Sequence, residues 1–240
     1  MDYENFADHY DLLYQAQHKD YEREACRLHR LIQKYKSASG NRLLDVACGT
    51  GEHLRYLQDF YDVAGVDLSA RMLHVARKKL PAVPLHQGDM CTFQLSARFE
   101  VVTCLFGSIG YAETVAGLQQ AIENMKRHLV AGGVLVIEPW LAPDEIEDGR
   151  THLVVAEEGE RKVVRVGVTR IHQRISEITF HFVIAEKDGI KTFEEQHRLG
   201  LFSAAEYQDA LERSGFQVFF DPEGLSGRGA YIGRLPRVEA

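Results

Sequence analysis

Leu43-Leu44-Asp45-Val46-Ala47-Cys48-Gly49-Thr50-Gly51 sets the architecture of this chain. A short apolar strand carries an acidic residue near its end and then turns through two glycines into a helix. At the carboxyl end of a parallel sheet, that geometry holds a nucleoside cofactor. The choice of cofactor determines the chemistry.

Dinucleotide enzymes bring a pyrophosphate to the helix N-terminus through G-x-G-x-x-G. Here the series runs Gly49-Thr50-Gly51-Glu52-His53-Leu54, with leucine in place of the third glycine. Glu52 at the helix entrance would also repel a diphosphate. S-adenosylmethionine carries no phosphate; it needs close backbone at its amino-acid end and acceptors for its ammonium and ribose hydroxyls. Asp45 suits that need.

Two further acidic strand ends follow. Asp62-Val63-Ala64-Gly65-Val66-Asp67 reads as a second strand whose terminal carboxylate can accept both ribose hydroxyls. That feature is common to NAD enzymes and methyl donors' enzymes, so Asp67 alone leaves both open. His86-Gln87-Gly88-Asp89-Met90 ends a third strand, with Asp89 placed to accept an adenine amine and Met90 to cover the ring. Gly-Asp by itself is an ordinary turn; three acidic ends in step with one glycine loop are not.

With these residues in view, the chain resembles the class I S-adenosylmethionine-dependent methyltransferases. More narrowly it is similar to the N,N-dimethyltransferases of nucleotide-linked amino sugars, such as those of desosamine and mycaminose. Besides the cofactor stretches, the resemblance rests on Tyr10-Asp11-Leu12, Lys19-Asp20-Tyr21, Ser108-Ile109-Gly110-Tyr111, Glu138-Pro139-Trp140 and Ser226-Gly227-Arg228-Gly229. It implies an α/β, Rossmann-like fold: a seven-stranded, mostly parallel sheet with an antiparallel last strand. It also implies cofactor contacts from Tyr14, Tyr21, Asp45, Ala47, Cys48, Gly49, Gly51, Asp67, Leu68, Met72, Gly88, Asp89, Met90, Leu105 and Phe106.

The same resemblance places the reaction at the loop 106–111, where Ser108 and Tyr111 face the amine and Tyr111 positions it or accepts its proton. Tyr10, Trp140 and Arg228 are expected at the substrate, with Arg228 meeting the nucleotide's diphosphate. Glycines flank Arg228, and a guanidinium matches paired phosphate oxygens. Each residue also has a plainer account: Tyr111 as helix-entry packing, Arg228 as a surface turn, and Tyr14 and Tyr21 as glue between helices and sheet. The asparagine-proline-proline-aromatic signature of adenine and glutamine methylation is absent.

Composition bounds the alternatives. At 240 residues and 45% hydrophobic, the chain can bury one full α/β core. A net charge of −7 without a basic cluster argues against phosphate-backbone binding of nucleic acid. No apolar run approaches the roughly 20 residues of a membrane span. The start, Met1-Asp2-Tyr3-Glu4, is unlike a signal peptide. Cys26, Cys48, Cys91 and Cys104 lack C-x-x-C spacing and read as reduced thiols of a cytoplasmic protein. His172, His181 and His197 match no metal-ligand spacing and read as a solvated sheet face, with no metal expected.

The remaining pattern is an expected division of labour within a single domain of residues 1–240. Residues 1–40 form a helical lid: an aromatic stripe of Tyr3, Phe6, Tyr10, Leu13 and Tyr14, then a helix capped by Asp20. Residues 41–140 and 202–240 form the cofactor-binding core. Its strands fall at 42–46, 63–67, 83–87, 101–105, 134–138, 216–220 and 230–234. Its helices fall at 52–60, from Ser69 to Pro81, at 114–129 closed by Gly132-Gly133, and from the Ser203–Glu206 capping box to Gly215. Residues 141–201 read as an inserted antiparallel sheet, broken at 158–160, 174–177 and 187–189. The resemblance implies a homodimer, and the inserted sheet offers edges to pair. A NAD-dependent nucleotide-sugar oxidoreductase and a non-catalytic cofactor sensor remain as other classes, and another small amine or hydroxyl as another substrate.

Overall fold

The computed structural model describes residues 6–237, so the Tyr3 end of the aromatic stripe lies outside the described residues. A short 3-10 turn, Ala7–His9, leads into α1 (Tyr10–Ala16), and α2 follows over Tyr21–Tyr35. Asp20 caps α2 by accepting the Arg23 N–H.

Strand and helix then alternate: β1 (Arg42–Val46), α3 (Glu52–Leu57), β2 (Asp62–Asp67), α4 (Ala70–Lys79), β3 (Leu85–Gln87), β4 (Phe99–Cys104), α5 (Val115–Arg127) and β5 (Leu129–Ile137). After the insertion come α6 (Ala204–Arg213), β10 (Gln217–Asp221) and β11 (Ala230–Arg234). Ser69 and Thr114 cap α4 and α5, and the Ser203–Glu206 box opens α6 as its sequence requires.

These strands make one seven-stranded sheet in the order β10-β11-β5-β4-β1-β2-β3. β1 to β5 run parallel, and β11 is antiparallel to both β5 and β10. Leu44 and Val46 of β1 join the core under α5 and α6, while Leu43 joins the core under α2, α3 and α4. A strand covered on both faces is largely apolar, and Leu43, Leu44 and Val46 carry that signal in the sequence. The chain moves outward on one side of β1 through β2 and β3, then crosses to β4 on the other. Strand ends part at that switch point and open a crevice.

Two sequence expectations need correction here. Gly132 and Gly133 do not close α5; its C-cap is His128, and both glycines lie within β5. Gly132 (φ +79°) bends β5 where its pairing with β4 shifts register between Phe99 and Val101. A Cβ on Gly133 would press to 2.9 Å of the Glu100 carbonyl oxygen. Helix α3 is also shorter than expected, ending at Leu57.

The insertion is a second, four-stranded antiparallel sheet: β6 (Thr151–Glu158), β7 (Arg161–His172), β8 (Ile175–Glu186) and β9 (Gly189–Gly200). Its middle turn is Gln173-Arg174 rather than 174–177, with Gln173 at φ +57° and Ile175 already paired to His172. One face is covered by the N-terminal segment, where Phe6 and Leu13 pack with Val163, Phe182 and Ile184. No helix among the described residues is long and apolar enough to cross a membrane.

Candidate active site

The site is built from strand ends. Asp45, 2% exposed, accepts the Thr103 hydroxyl of the neighbouring β4 at 2.7 Å. Burial pushes its carboxyl up to about 6. The chain then passes through left-handed conformations at Ala47 (φ +60°), Gly49 (φ +55°) and Gly51 (φ +79°). A Cβ on Gly49 would meet nothing within 4 Å, so this backbone faces open space.

Asp67 locks the turn from the next strand. Its carboxylate accepts the Gly49 N–H at 2.7 Å and the Ser69 N–H at 2.8 Å. Burial raises its pKa, and these two backbone donors pull it back. Asp67 and Gly49 line a cavity of about 230 Å³ with Leu68, Met72, Gly88, Asp89 and Met90. Asp89 accepts the Cys91 N–H at 2.7 Å through one oxygen.

A second, smaller pocket continues toward Tyr21, Asp45, Cys48 and Leu105. Its floor is charged but balanced. Glu24 accepts from Lys19 at 2.7 Å and meets His53 Nε2 at 2.7 Å. Lys79 pairs with Glu52 and, at 2.5 Å, with Asp11, which also accepts the Thr50 hydroxyl. Lys79 therefore offsets the Glu52 charge, and the repulsion expected from that residue toward a diphosphate is weaker than its sequence position suggests.

The third cavity lies between the reaction loop and the inserted sheet, lined by Tyr14, Phe106, Tyr111, Trp140, Arg165 and His197 among others. Tyr10 and Ser108 line all three cavities and mark their meeting point. Burial raises the Tyr10 phenol well above its ordinary value, so it stays protonated. Tyr14, expected at the cofactor, lines this third cavity and neither of the first two, and stands edge-on to Phe106 with ring centroids 5.0 Å apart. Trp140 donates its Nε1–H to Ser176 at 3.1 Å.

Tyr111 lies 3.0 Å from His197 Nδ1. His197 is not on a solvated face, as its spacing with His172 and His181 suggested; it is 6% exposed, whereas the other two are exposed. Burial, then the charge of Arg165, lowers its pKa to about 4, so it is neutral near physiological pH. Among the described residues no group of three His, Cys, Asp or Glu side chains is placed to hold a metal ion.

Arg228 packs over the rings of Phe106 (5.1 Å) and Trp140 (5.9 Å), with Glu138 3.9 Å away. Three residues had no role in the sequence reading: Arg165, His197 and Glu138. The strand alternation held a signal for two of them. Arg165 falls in register with inward Val163 and Gly167, and His197 with inward Leu199.

Residues 43–133 match the methyltransferase domain family. Across 95% of this chain and 89% of the relative, 42% of residues are identical to the dTDP-3-amino-3,6-dideoxy-alpha-D-glucopyranose N,N-dimethyltransferase of Streptomyces fradiae. The crystal structure of DesVI from Streptomyces venezuelae superposes with a TM-score of 0.90 at 38% identity, covering 97% of this chain and 98% of that one. An S-adenosylmethionine-bound amino pentose methyltransferase of calicheamicin biosynthesis, from Micromonospora echinaspora, superposes at 0.83 with 34% identity, covering 94% and 96%. The acidic strand ends and the cavities before them suit the nucleoside, amino-acid tail and acceptor side of that cofactor. The chain belongs to the S-adenosylmethionine-dependent methyltransferases, in the family of the sugar N,N-dimethyltransferases.

Proposed function

We propose that this enzyme methylates the amino group of a nucleotide-linked amino sugar. The observation that carries the reading is the meeting of three cavities at Tyr10 and Ser108, two on the cofactor side and one closed by the inserted sheet. That relatives are dTDP-amino-sugar N,N-dimethyltransferases supports this class of substrate for the third cavity.

When bound, S-adenosylmethionine supplies an electrophilic methyl group. Asp67 and Asp89 would hold its nucleoside, with Leu68, Met72, Gly88 and Met90 around the rings. Asp45, Tyr21, Ala47, Cys48, Gly49 and Leu105 would hold its amino-acid end, while Gly51 shapes the turn. The chain's own work is then positional: fixing an amine in line can supply most of the acceleration such a reaction needs.

The amine must be neutral to react, and amines of this kind titrate near ~8. With its proton on Nε2, neutral His197 accepts the Tyr111 hydroxyl hydrogen at Nδ1, and in that tautomer the phenol oxygen is left as an acceptor for an amine N–H. Ser108 and Tyr10 flank that point. Trp140 and Tyr14 wall the sugar, and Arg228 reaches the diphosphate beside Gly107, whose added Cβ would lie 3.1 Å from its Nη1. Residues 1–40 act as the lid, 41–140 with 202–240 hold the cofactor, and 141–201 select the substrate. The enzyme works in the cytoplasm as a homodimer joined through the outer face of the inserted sheet.

A mass-spectrometric screen of thymidine-diphosphate amino sugars with the cofactor tests this. Gains of one or two methyl masses are expected on the amine. Methylation confined to other metabolites, with every nucleotide amino sugar untouched, would overturn it.

A further inference from the structure

The cations around the cofactor side of the site are matched. Lys19 has Glu24, Lys79 has Asp11 and Glu52, Arg27 has Asp221 and Glu223, and Arg228 has Glu138 nearby. Arg165 is different. It occupies an inward position of β7, is 5% exposed, and lines the outer cavity with Ser108, Tyr111 and His197.

Its direct contacts are aromatic, and a buried carboxylate of the same sheet, Glu195, lies opposite Phe180 and 3.8 Å from His197 Nε2. The guanidinium lies 4.4 Å from the Phe180 ring centroid and 5.6 Å from that of Tyr14. Its Nε has no hydrogen-bond partner among the described residues. The charge is felt nearby: it helps lower the pKa of both His197 and His152.

A guanidinium cannot shed its proton to escape burial. Left without a counter-charge inside a protein it opposes folding, and such a group is kept where a ligand completes it. Cation–π contact with two rings offsets part of the lost hydration but fills none of the in-plane N–H positions. An oxyanion with paired oxygens does, and a phosphate presents them in the fork geometry that arginine matches.

We propose that Arg165 anchors the substrate by a phosphate oxygen of its diphosphate, from the inserted-sheet wall of the cavity in which the amine reacts. This rests on the nucleotide-sugar reading above. It adds a second cation to Arg228 and makes the inserted sheet a holder of charge as well as a wall. Tyr14 and Phe180, packed on the guanidinium, would fix its plane so that the anion and the amine are held at once.

Arg165→Met, which keeps the length of the side chain but removes its charge, tests the assignment with three measurements. Affinity for thymidine diphosphate by calorimetry, and 1/KM for the nucleotide amino sugar, should each fall about 10- to 100-fold, the range for hydrogen bonds to a charged group. S-adenosylmethionine affinity should stay within about twofold, and Tm should rise by about 2–4 °C as a buried unmatched charge is removed. Arg165→Lys should recover part of the nucleotide affinity. Methylation of the same amino sugar as a phosphate-free methyl glycoside should fall far less in Arg165→Met than methylation of the nucleotide form. Unaltered thymidine diphosphate affinity in that variant would overturn the proposal. So would a lowered Tm together with equal losses on both sugar forms, which is the signature of a structural arginine. If the wild-type protein methylates no nucleotide amino sugar, the substrate reading fails, while diphosphate calorimetry still decides the anchor.

Discussion

The buried carboxylate of Glu138 accepts the backbone N–H of Phe106 at 2.7 Å and, through its other oxygen, the hydroxyl of Ser226. One side chain thereby joins the end of β5, the reaction loop after β4 and the loop that carries Arg228. Phe106 needs such a brace because it holds φ +56°, a conformation that costs a non-glycine residue about 1–2 kcal/mol. Glu138→Ala removes the acceptor and should lower kcat about 100-fold, the scale of a misplacement near 1 Å. Glu138→Gln keeps an acceptor for Phe106 but turns an amide toward Ser226 and Arg228. Its kcat should fall less and its KM for the nucleotide substrate should rise. Steady-state kinetics, with cofactor affinity by calorimetry constant within about twofold, check both.

Asp45, by its proposed place at the cofactor's ammonium, makes cofactor binding depend on pH. Its carboxyl titrates at about 6 in the folded protein, above the ~3.9 of an unfolded chain. Between those values the native state holds a proton that the unfolded state has lost, so this residue's contribution to stability declines as pH rises through that window. A cofactor ammonium beside it favours the carboxylate and acts in the opposite sense. Affinity for S-adenosylmethionine should therefore weaken as pH falls below about 6, approaching tenfold per unit. Calorimetry across about pH 5 to 8 should show that slope in the wild type and a flat line in Asp45→Asn. The same slope in the variant would assign the effect elsewhere.

Tyr111 tests whether position or proton transfer dominates. General base catalysis contributes about 10²–10⁴-fold where it operates. With His197 held neutral down to about pH 4 by burial and Arg165, the pair has little capacity to store a proton. Tyr111→Phe should then lower kcat by only about tenfold, and its kcat against pH should still follow the substrate amine near ~8. A loss beyond about 1000-fold, with the alkaline limb displaced, would make the phenol a true base.

How far the chain could be read depended on whether a feature was local. Leu43, Leu44 and Val46 are apolar because both faces of β1 are covered, and Gly49 and Gly51 are glycines because the turn needs positive φ; sequence alone carries both facts. The capping box at Ser203 is equally local. Gly132-Gly133 misled because a glycine pair after a helical pattern is a stop signal, whereas its bend answers the register of β4 across the sheet. His197 misled, and Arg165 went unmarked, for a related reason. One face of β7 and β9 is buried, and the packing of Phe6 and Leu13 on the sheet shows which. The ties of Glu138 to Phe106 and Ser226 join residues far apart in the chain and leave no periodic trace.

The outer face of the inserted sheet gives the last prediction. Leu153, Val155, Val166, Val183 and Ile190 are 42–71% exposed. The pairing of Leu153 with Val166 and of Val155, Val164 and Val183 in one row puts these side chains on one face, away from the cavity. Isolated exposed aliphatics are unremarkable, but a contiguous face of them on a sheet marks an interaction surface. A two-fold symmetric pair buries one such face against its own copy and is the commonest closed assembly. Sedimentation should find the wild type as a dimer. Leu153→Glu combined with Val166→Glu sets charges in one cross-strand pair and should yield monomers at micromolar concentration, with S-adenosylmethionine affinity within about twofold. Because Arg165 lies on the opposite side of β7, the monomer's first effect on turnover should come through a looser cavity wall, seen as a raised KM before any fall in kcat. A variant that stays dimeric would place the subunit contact on another surface.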